Sequence, residues 1–176
     1  MAAQRNDRLA AAQAYLARGW SVLPVEPGGK RPLIAWRGLQ SRRAAAADVE
    51  HWFERWPMAN VAIVTGRLSR LVVLDVDPRH GGAESLAALE QEYGPLPATI
   101  EALTGGGGRH LYFRHPGSRT PNRVGIRPGI DLRGDGGCVV APPSVHASGR
   151  RYAWRAGRAP GELAAAPLPG SLGAGP

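Results

Sequence analysis

"LVVLDVDPRH", residues 71–80, decides how the chain is read. Leu71 to Leu74 form an aliphatic run of the kind found in a buried strand. Asp75 and Asp77 follow on either side of Val76, and Pro78 then stops the strand. Side chains alternate along a strand, so residues two apart share a face and both carboxylates project together from its end. Two carboxylates held this close repel and resist joint ionisation unless a cation sits between them. Oxygen-only ligands favour Mg²⁺ or Mn²⁺, hard ions that commonly also hold substrate phosphates. A pair of solvated acids entering a turn is the competing explanation. The aliphatic approach favours the metal reading because it makes a rigid platform.

The chain has 176 residues, enough for one compact domain with a real core. Its net charge of +8 and pI near 10.9 point to an anionic partner such as nucleic acid. Arginine and alanine dominate throughout, so part of that basicity is compositional bias. Cys138 is the only cysteine, which excludes an internal disulfide and a cysteine-built zinc site; a reducing compartment fits, and no zinc is expected. The N-terminus carries charges where a signal peptide needs an apolar run, and no apolar run approaches spanning length. These features predict a cytoplasmic protein without a membrane partner.

Outward from the acidic pair, Leu9, Ala12, Gln13 and Leu16 predict a helical face ending at Gly19, followed by a strand at 20–25 and a Gly/Pro loop at 26–36. Val49, Trp52, Phe53 and Trp56 have the spacing of a core-facing helix stopped by Pro57. Strands are predicted at 60–66 and 70–77, then a helix at 83–94 with Leu86, Leu89 and Tyr93 inward. Further strands are expected at 98–104, 109–115, 130–134, 137–143 and 151–155, with a Pro/Gly/Arg-rich loop before the third of these. The mixture says α+β. Residues 1–156 form the expected domain, and the Ala/Pro/Gly-rich stretch 157–176 reads as a linker or disordered tail.

"TGGGGRHLYF" (104–113) sets four glycines before Arg109 and His110. Glycines let the backbone approach a ligand and aim N–H groups at phosphate oxygens, which makes Gly107 and Gly108 candidates for nucleotide binding. His110 could donate to a phosphate. Arg109, on the opposite face, either turns away or reaches a nucleic-acid backbone. A flexible hairpin with a core histidine is the competing explanation, and no Walker loop is present. Asp131, in "GIDLRG", is a third strand-borne acid that would complete a ligand set if it converged on the first two. Asp135, in "GDGG", reads as a turn residue. "PPSVH" offers Ser144 and His146 beyond a rigid exit, and Lys30, the only lysine, offers a mobile point charge for phosphate.

In order, "GWSVLPV", "GGKRP", "NVAIVTG", "LVVLDVDP", "TGGGGRHLYF", "GIDLRGDGGCVVAPPS" and "YAW" resemble the bifunctional primase–polymerase N-terminal domain of the archaeo-eukaryotic primase superfamily, from about residue 9 to 154. The resemblance implies an RRM-like catalytic sheet packed with an N-terminal α+β unit. It implies template-directed nucleotidyl transfer from (d)NTPs to a 3′-hydroxyl on single-stranded or primer-template DNA, in replication or repair. Asp75, Asp77 and Asp131 would be ligands of two Mg²⁺ or Mn²⁺ ions, and Gly108 and His110 the small residue–x–His motif at the nucleotide's phosphates. Lys30 and Ser144 would assist there, and a helicase domain or protein would be a further partner. Gly106 and Gly108 stand where a serine often binds phosphate, which puts that contact in doubt. Primer extension is a safer expectation than de novo priming, since no zinc-binding set is present. The alternatives are a non-catalytic nucleotide- or DNA-binding replication module and a dehalogenase-type phosphatase. The latter usually carries its D-x-D near the N-terminus and follows it with Thr or Val rather than Pro78-Arg79.

Overall fold

The computed structural model describes residues 2–173, and side chains from Asp7 onward. Helix α1 (Ala2–Ala17) buries Arg8, Ala12 and Tyr15, with Leu9 and Leu16 only partly covered and Gln13 exposed. Its inward face is therefore rotated from the one predicted. The aromatic Tyr15 is drawn into the core, where its hydroxyl donates to the Pro142 carbonyl at 2.5 Å. Strand β1 (Val22–Val25) follows, then α2 (Ala46–Arg55), which buries Val49 and Phe53 and rests Trp52 and Trp56 against the same core. Strand β2 (Asn60–Val64) pairs antiparallel with β1 and is buried at every position.

Strand β3 (Leu71–Val76) leads through a 3₁₀ turn into α3 (Gly82–Tyr93). After it come β4 (Ile100–Leu103), β5 (Arg109–Arg114), β6 (Arg123–Arg127), β7 (Ile130–Arg133), β8 (Cys138–Val140), β9 (Ala153–Trp154), β10 (Ala166–Pro167) and α4 (Gly170–Gly173). Strand β8 closes a small sheet of order β1-β2-β8, while the others form a large sheet of order β6-β7-β3-β5-β4-β9, with β10 parallel beside the end of β5. This is the expected α+β architecture: a large antiparallel sheet backed by an N-terminal α+β unit.

Alternation along β3 divides the interior into two cores. Leu71 and Val73 face the core shared with the small sheet, α1 and α2, whereas Val72, Leu74 and Val76 face a second core under α3. Strand β3 is thus buried on both faces, which is why its sequence is an unbroken aliphatic run until Asp75.

The structure departs from the sequence reading in several places. The Pro/Gly/Arg-rich loop contains β6, an edge strand with an irregular register and Val124 largely exposed. With one face in water, it has no apolar alternation to betray it. Tyr93 is 55% exposed because it lies on the last turn of α3, beyond the covered stretch. Asp135 does more than turn the chain. Its carboxylate accepts the Thr120 and Arg67 N–H groups, both at 2.8 Å, and lies 3.1 Å from His115 Nε2, tying two loops together.

The largest correction concerns 157–176, expected to be a linker or tail. Over its described part it is docked. Ala166 N–H donates to Thr99 Oγ1 at 3.0 Å, and the Leu172 carbonyl accepts from Arg123. Arg158 reaches the fully buried Glu101 at 3.2 Å, beside Arg109 and Arg155. Leu172 itself is 1% exposed in the second core. Leu172 is the one fully buried side chain of the segment's described part, with Ala166 and Leu168 packed partly against the same core, too few to show a periodicity. Leu172→Ala should lower the unfolding free energy by about 2–5 kcal/mol in urea denaturation; an unchanged midpoint would mean that the segment is not docked.

Candidate active site

Asp75 is the Cα partner of His110 on β5 and of Asp131 on β7. Residues directly opposite on adjacent strands present the same face, with Cβ atoms about 4.5–5.5 Å apart. The three side chains therefore form one row across the centre of the large sheet. It lies on the face turned toward the small sheet, and it lines a cavity of about 370 Å³.

Asp77 lies just past the end of β3. Its backbone is still extended and its N–H donates to the Gly129 carbonyl at 2.8 Å, so its carboxylate enters the same cavity as Asp75. There it caps the 3₁₀ turn, accepting the Arg79 N–H at 3.0 Å, with the Arg79 guanidinium at 3.3 Å and His80 Nδ1 at 3.0 Å. Burial pushes this carboxyl upward, but the Arg79 and His80 contacts prevail and hold it at about 2.

The other acids also have partners. Arg133, two residues beyond Asp131 and hence on its face, sets Nη2 2.6 Å from Asp131 and 3.8 Å from Asp75. Gly125 N–H donates to the other Asp131 oxygen at 2.7 Å. His110 Nε2 stands 3.4 Å from Asp75 Oδ1, while its Nδ1 is buried without a partner. A proton on Nε2 serves Asp75 and leaves only a lone pair uncompensated at Nδ1, the less costly arrangement. Burial raises the Asp75 carboxyl, yet the His110 hydrogen bond and the Lys30 and Arg133 charges bring it below its ordinary value. As placed, no group of three His, Cys, Asp or Glu side chains among the described residues is gathered as an ion-binding cluster. The acids are instead neutralised by internal cations.

The small-sheet side supplies the opposite charge. Lys30 lines the cavity from the β1–α2 loop, which is held by a bridge between Gly28 and His146 and by Asn60 Nδ2 donating to the Gly29 carbonyl at 3.4 Å. His146 Nδ1 accepts the Ser148 N–H at 3.1 Å, so the neutral ring carries its proton on Nε2. Burial, then the Lys30, Arg79 and Arg150 charges, depress its basicity despite Asp77.

Three candidates fall elsewhere. Ser144 is fully buried, its hydroxyl accepting the Val61 N–H at 2.9 Å and donating to the Val61 carbonyl at 3.2 Å. It ties the β8 exit to β2 and does not line the cavity. Arg109 projects from the other face of β5 and pairs with Glu101 at 2.7 Å. Gly107 lies against a neighbouring apolar cavity, and its N–H is spent on the Thr104 carbonyl at 3.0 Å. The Gly108 N–H is likewise taken, by Thr104 Oγ1 at 2.9 Å. The glycine run is thus a tight β4–β5 turn. Gly108 lines the main cavity because β3 passes so close that a Cβ there would collide with the Val76 carbonyl oxygen. Sequence reasoning missed Arg79, Arg133 and Tyr152, which also line it. Strand alternation from Asp131 would have found Arg133; nothing local marks Tyr152.

An acidic row and basic side chains thus line one cavity of an α+β domain. The family model "Bifunctional DNA primase/polymerase, N-terminal" matches residues 12–170, nearly the whole described chain, and the protein belongs to that family. The match also carries past residue 156, in keeping with the docked C-terminal segment. No curated protein matches the chain. No helix among the described residues is long and apolar enough to cross a membrane.

The Asp77 carboxyl should titrate at about 2 by NMR, and Arg79→Ala should move its midpoint up toward 3.8. Because the folded-state value is depressed, the stability this carboxylate contributes is present above the ordinary range and lost as pH falls toward about 2. A midpoint unmoved by Arg79→Ala would show that the guanidinium is not its partner.

Proposed function

We propose that the chain is a template-directed nucleotidyltransferase that extends DNA by adding a (d)NMP unit to a primer 3′-hydroxyl. The supporting observation is the strand register that aligns Asp75 and Asp131 beside Asp77 in one cavity, with Arg79 against Asp77 and Lys30 on the facing side. In the reaction the 3′-hydroxyl gives up its proton to solvent as its oxygen bonds to the α-phosphorus of the incoming (d)NTP, the bond from that phosphorus to the bridging oxygen breaks, and pyrophosphate leaves.

Asp75, Asp77 and Asp131 are the residues that would hold two Mg²⁺ or Mn²⁺ ions, and an all-carboxylate donor set on a rigid sheet fits hard cations. Bound there, such ions would make the 3′-hydroxyl a better nucleophile and offset the charge on the triphosphate and the departing pyrophosphate. The fit needs side-chain rotation, because the Arg133 and Arg79 guanidiniums now engage the acids. Released, both guanidiniums remain within the cavity, where they can meet phosphate oxygens. Lys30 and the Nε2–H of His146 are the remaining donors for the triphosphate. His110, almost fully buried, holds Asp75 in its orientation.

A second reading is a nucleotide- or DNA-binding module without catalysis. The observation favouring it is that Arg133 already neutralises the acid row. Membership in the primase/polymerase family leaves the dehalogenase-type reading without support.

Primer extension with dNTPs and Mn²⁺ or Mg²⁺ separates the two. The wild type should extend the primer, and Asp75→Ala/Asp77→Ala should lose roughly 10³-fold or more, at least the scale seen when one charge-stabilising group is removed. Equal incorporation by both proteins would exclude the polymerase reading. Template binding by both with incorporation by neither would establish the binding module.

A further inference from the structure

The sheet face that carries Asp75 has a second opening. Asp75–His110, Val73–Tyr112 and Leu71–Arg114 are successive pairs on that face of β3 and β5. The third pair lies on the order of 13 Å from the first at ~3.3 Å per residue. Between them stands an aromatic block in which Tyr112 packs on Trp20 at 6.2 Å and on Trp154 at 5.2 Å between ring centres. Beyond the block, at the Leu71 end, is a cavity of about 670 Å³, larger than the one at Asp75.

Its lining is basic around an apolar floor. Arg18, Arg43, Arg70 and Arg114 line it, with Trp20, Leu71 and Ile100 at the bottom. Glu162 is the single acid there, and its carboxylate caps the Ala159 N–H at 3.0 Å. Arg18 and Arg43 are steadied by the Pro160 and Leu68 carbonyls, at 2.9 and 3.1 Å. Arg70 and Arg114 are exposed and make no ion pair among the described residues. Arg70 is also the one non-glycine residue among those described with a positive φ, +56°. That conformation suits glycine, and a long side chain held there points to a use for its guanidinium.

We infer that this cavity is a second nucleic-acid site, in which Arg70 and Arg114 hold the phosphates of a single-stranded DNA segment whose bases lie on the apolar floor. The inference rests on the nucleic-acid reading of the Asp75 cavity and adds to it a contact on the far side of the aromatic block. Guanidinium forks match phosphate oxygens in pairs, and four cations rimming an apolar surface repel one another until an extended anion spans them. An acidic protein would satisfy the charge but would leave the floor without the flat faces that bases offer.

The test is an anisotropy titration of the full chain against a labelled oligodeoxythymidylate of about 20 nucleotides, repeated across a range of salt concentrations. Arg70→Ala/Arg114→Ala is compared with Arg37→Ala/Arg119→Ala, a pair exposed outside this cavity. Each lost phosphate contact on a single strand removes ~0.7 from the slope of log affinity against log salt, so the first variant should lose ~1.4 and the control none. Thermal melting of each variant verifies that it is folded. An unchanged slope in the first variant, an equal loss in both, or competition by polyglutamate as effective as that by unlabelled oligonucleotide would overturn the inference. If the wild type extends primers while the first variant keeps its slope, this site falls and the polymerase reading stands. If the slope drops as expected while no extension occurs with either metal, this site stands and the polymerase reading falls.

Discussion

The antiparallel register of β3 with β5 and β7 is the constraint on which the site depends. It sets Asp75 opposite both His110 and Asp131. A slip of one residue would carry the carboxylates to the other face and into the apolar core beneath α3. What holds the register is the row on that other face, where Leu74 pairs with Leu111 and Leu132, all fully or almost fully buried. The chemistry of the polar row is therefore positioned by the packing of the apolar row behind it. Truncating that leucine row would disturb the site without touching any residue in it.

The same sheet explains how three carboxylates sit together in a cleft. Left alone they would repel, and burial would raise their proton affinity. Asp75 is instead supported by His110, Lys30 and Arg133, Asp131 by Arg133 and the Gly125 N–H, and Asp77 by Arg79 and His80. A cation or N–H group has been placed against each acid, and for Asp75 and Asp77 these partners outweigh the effect of burial. These cations are also of the kind that could turn to a triphosphate once the acids had other partners, so one charge set serves both states of the proposed cycle.

How much of this could be read from the chain depends on whether a residue's reason lies next to it or far away. Asp75 and Asp131 stood out because a carboxylate inside an aliphatic strand has no packing role, and alternation placed Arg109 and His110 on opposite faces. Alternation alone could not say which face met the cavity. Ser144 illustrates the limit of local reading, since its hydroxyl serves the backbone of a residue 83 positions earlier. Asp135 looked like a turn acid because its partners Arg67 and His115 lie in other loops. The C-terminal segment has one buried leucine and backbone contacts to Thr99 and Arg123 in place of a periodic face, so its composition suggested disorder. Strand β6 was hidden for the opposite reason: an exposed edge strand is free to be arginine- and glycine-rich.

The excess of arginine, ambiguous as composition, is sorted by the fold into different duties. Arg109, Arg155 and Arg158 neutralise the fully buried Glu101 and tie the C-terminal segment to the sheet. Arg79 and Arg133 are bound to the acids of the site. A net charge of +8 therefore overstates the attraction at the Asp75 cavity, where three carboxylates offset the cations that line it. The opposite end of β3 has the reverse balance, four arginines around one acid that is already capping the backbone. If a polyanion is drawn to this face, the field is strongest beyond the aromatic block and weakest at the acids. Long-range attraction and chemistry are thereby assigned to different ends of the same strands. In the proposed reaction this division would let the site present its carboxylates without repelling an incoming polyanion.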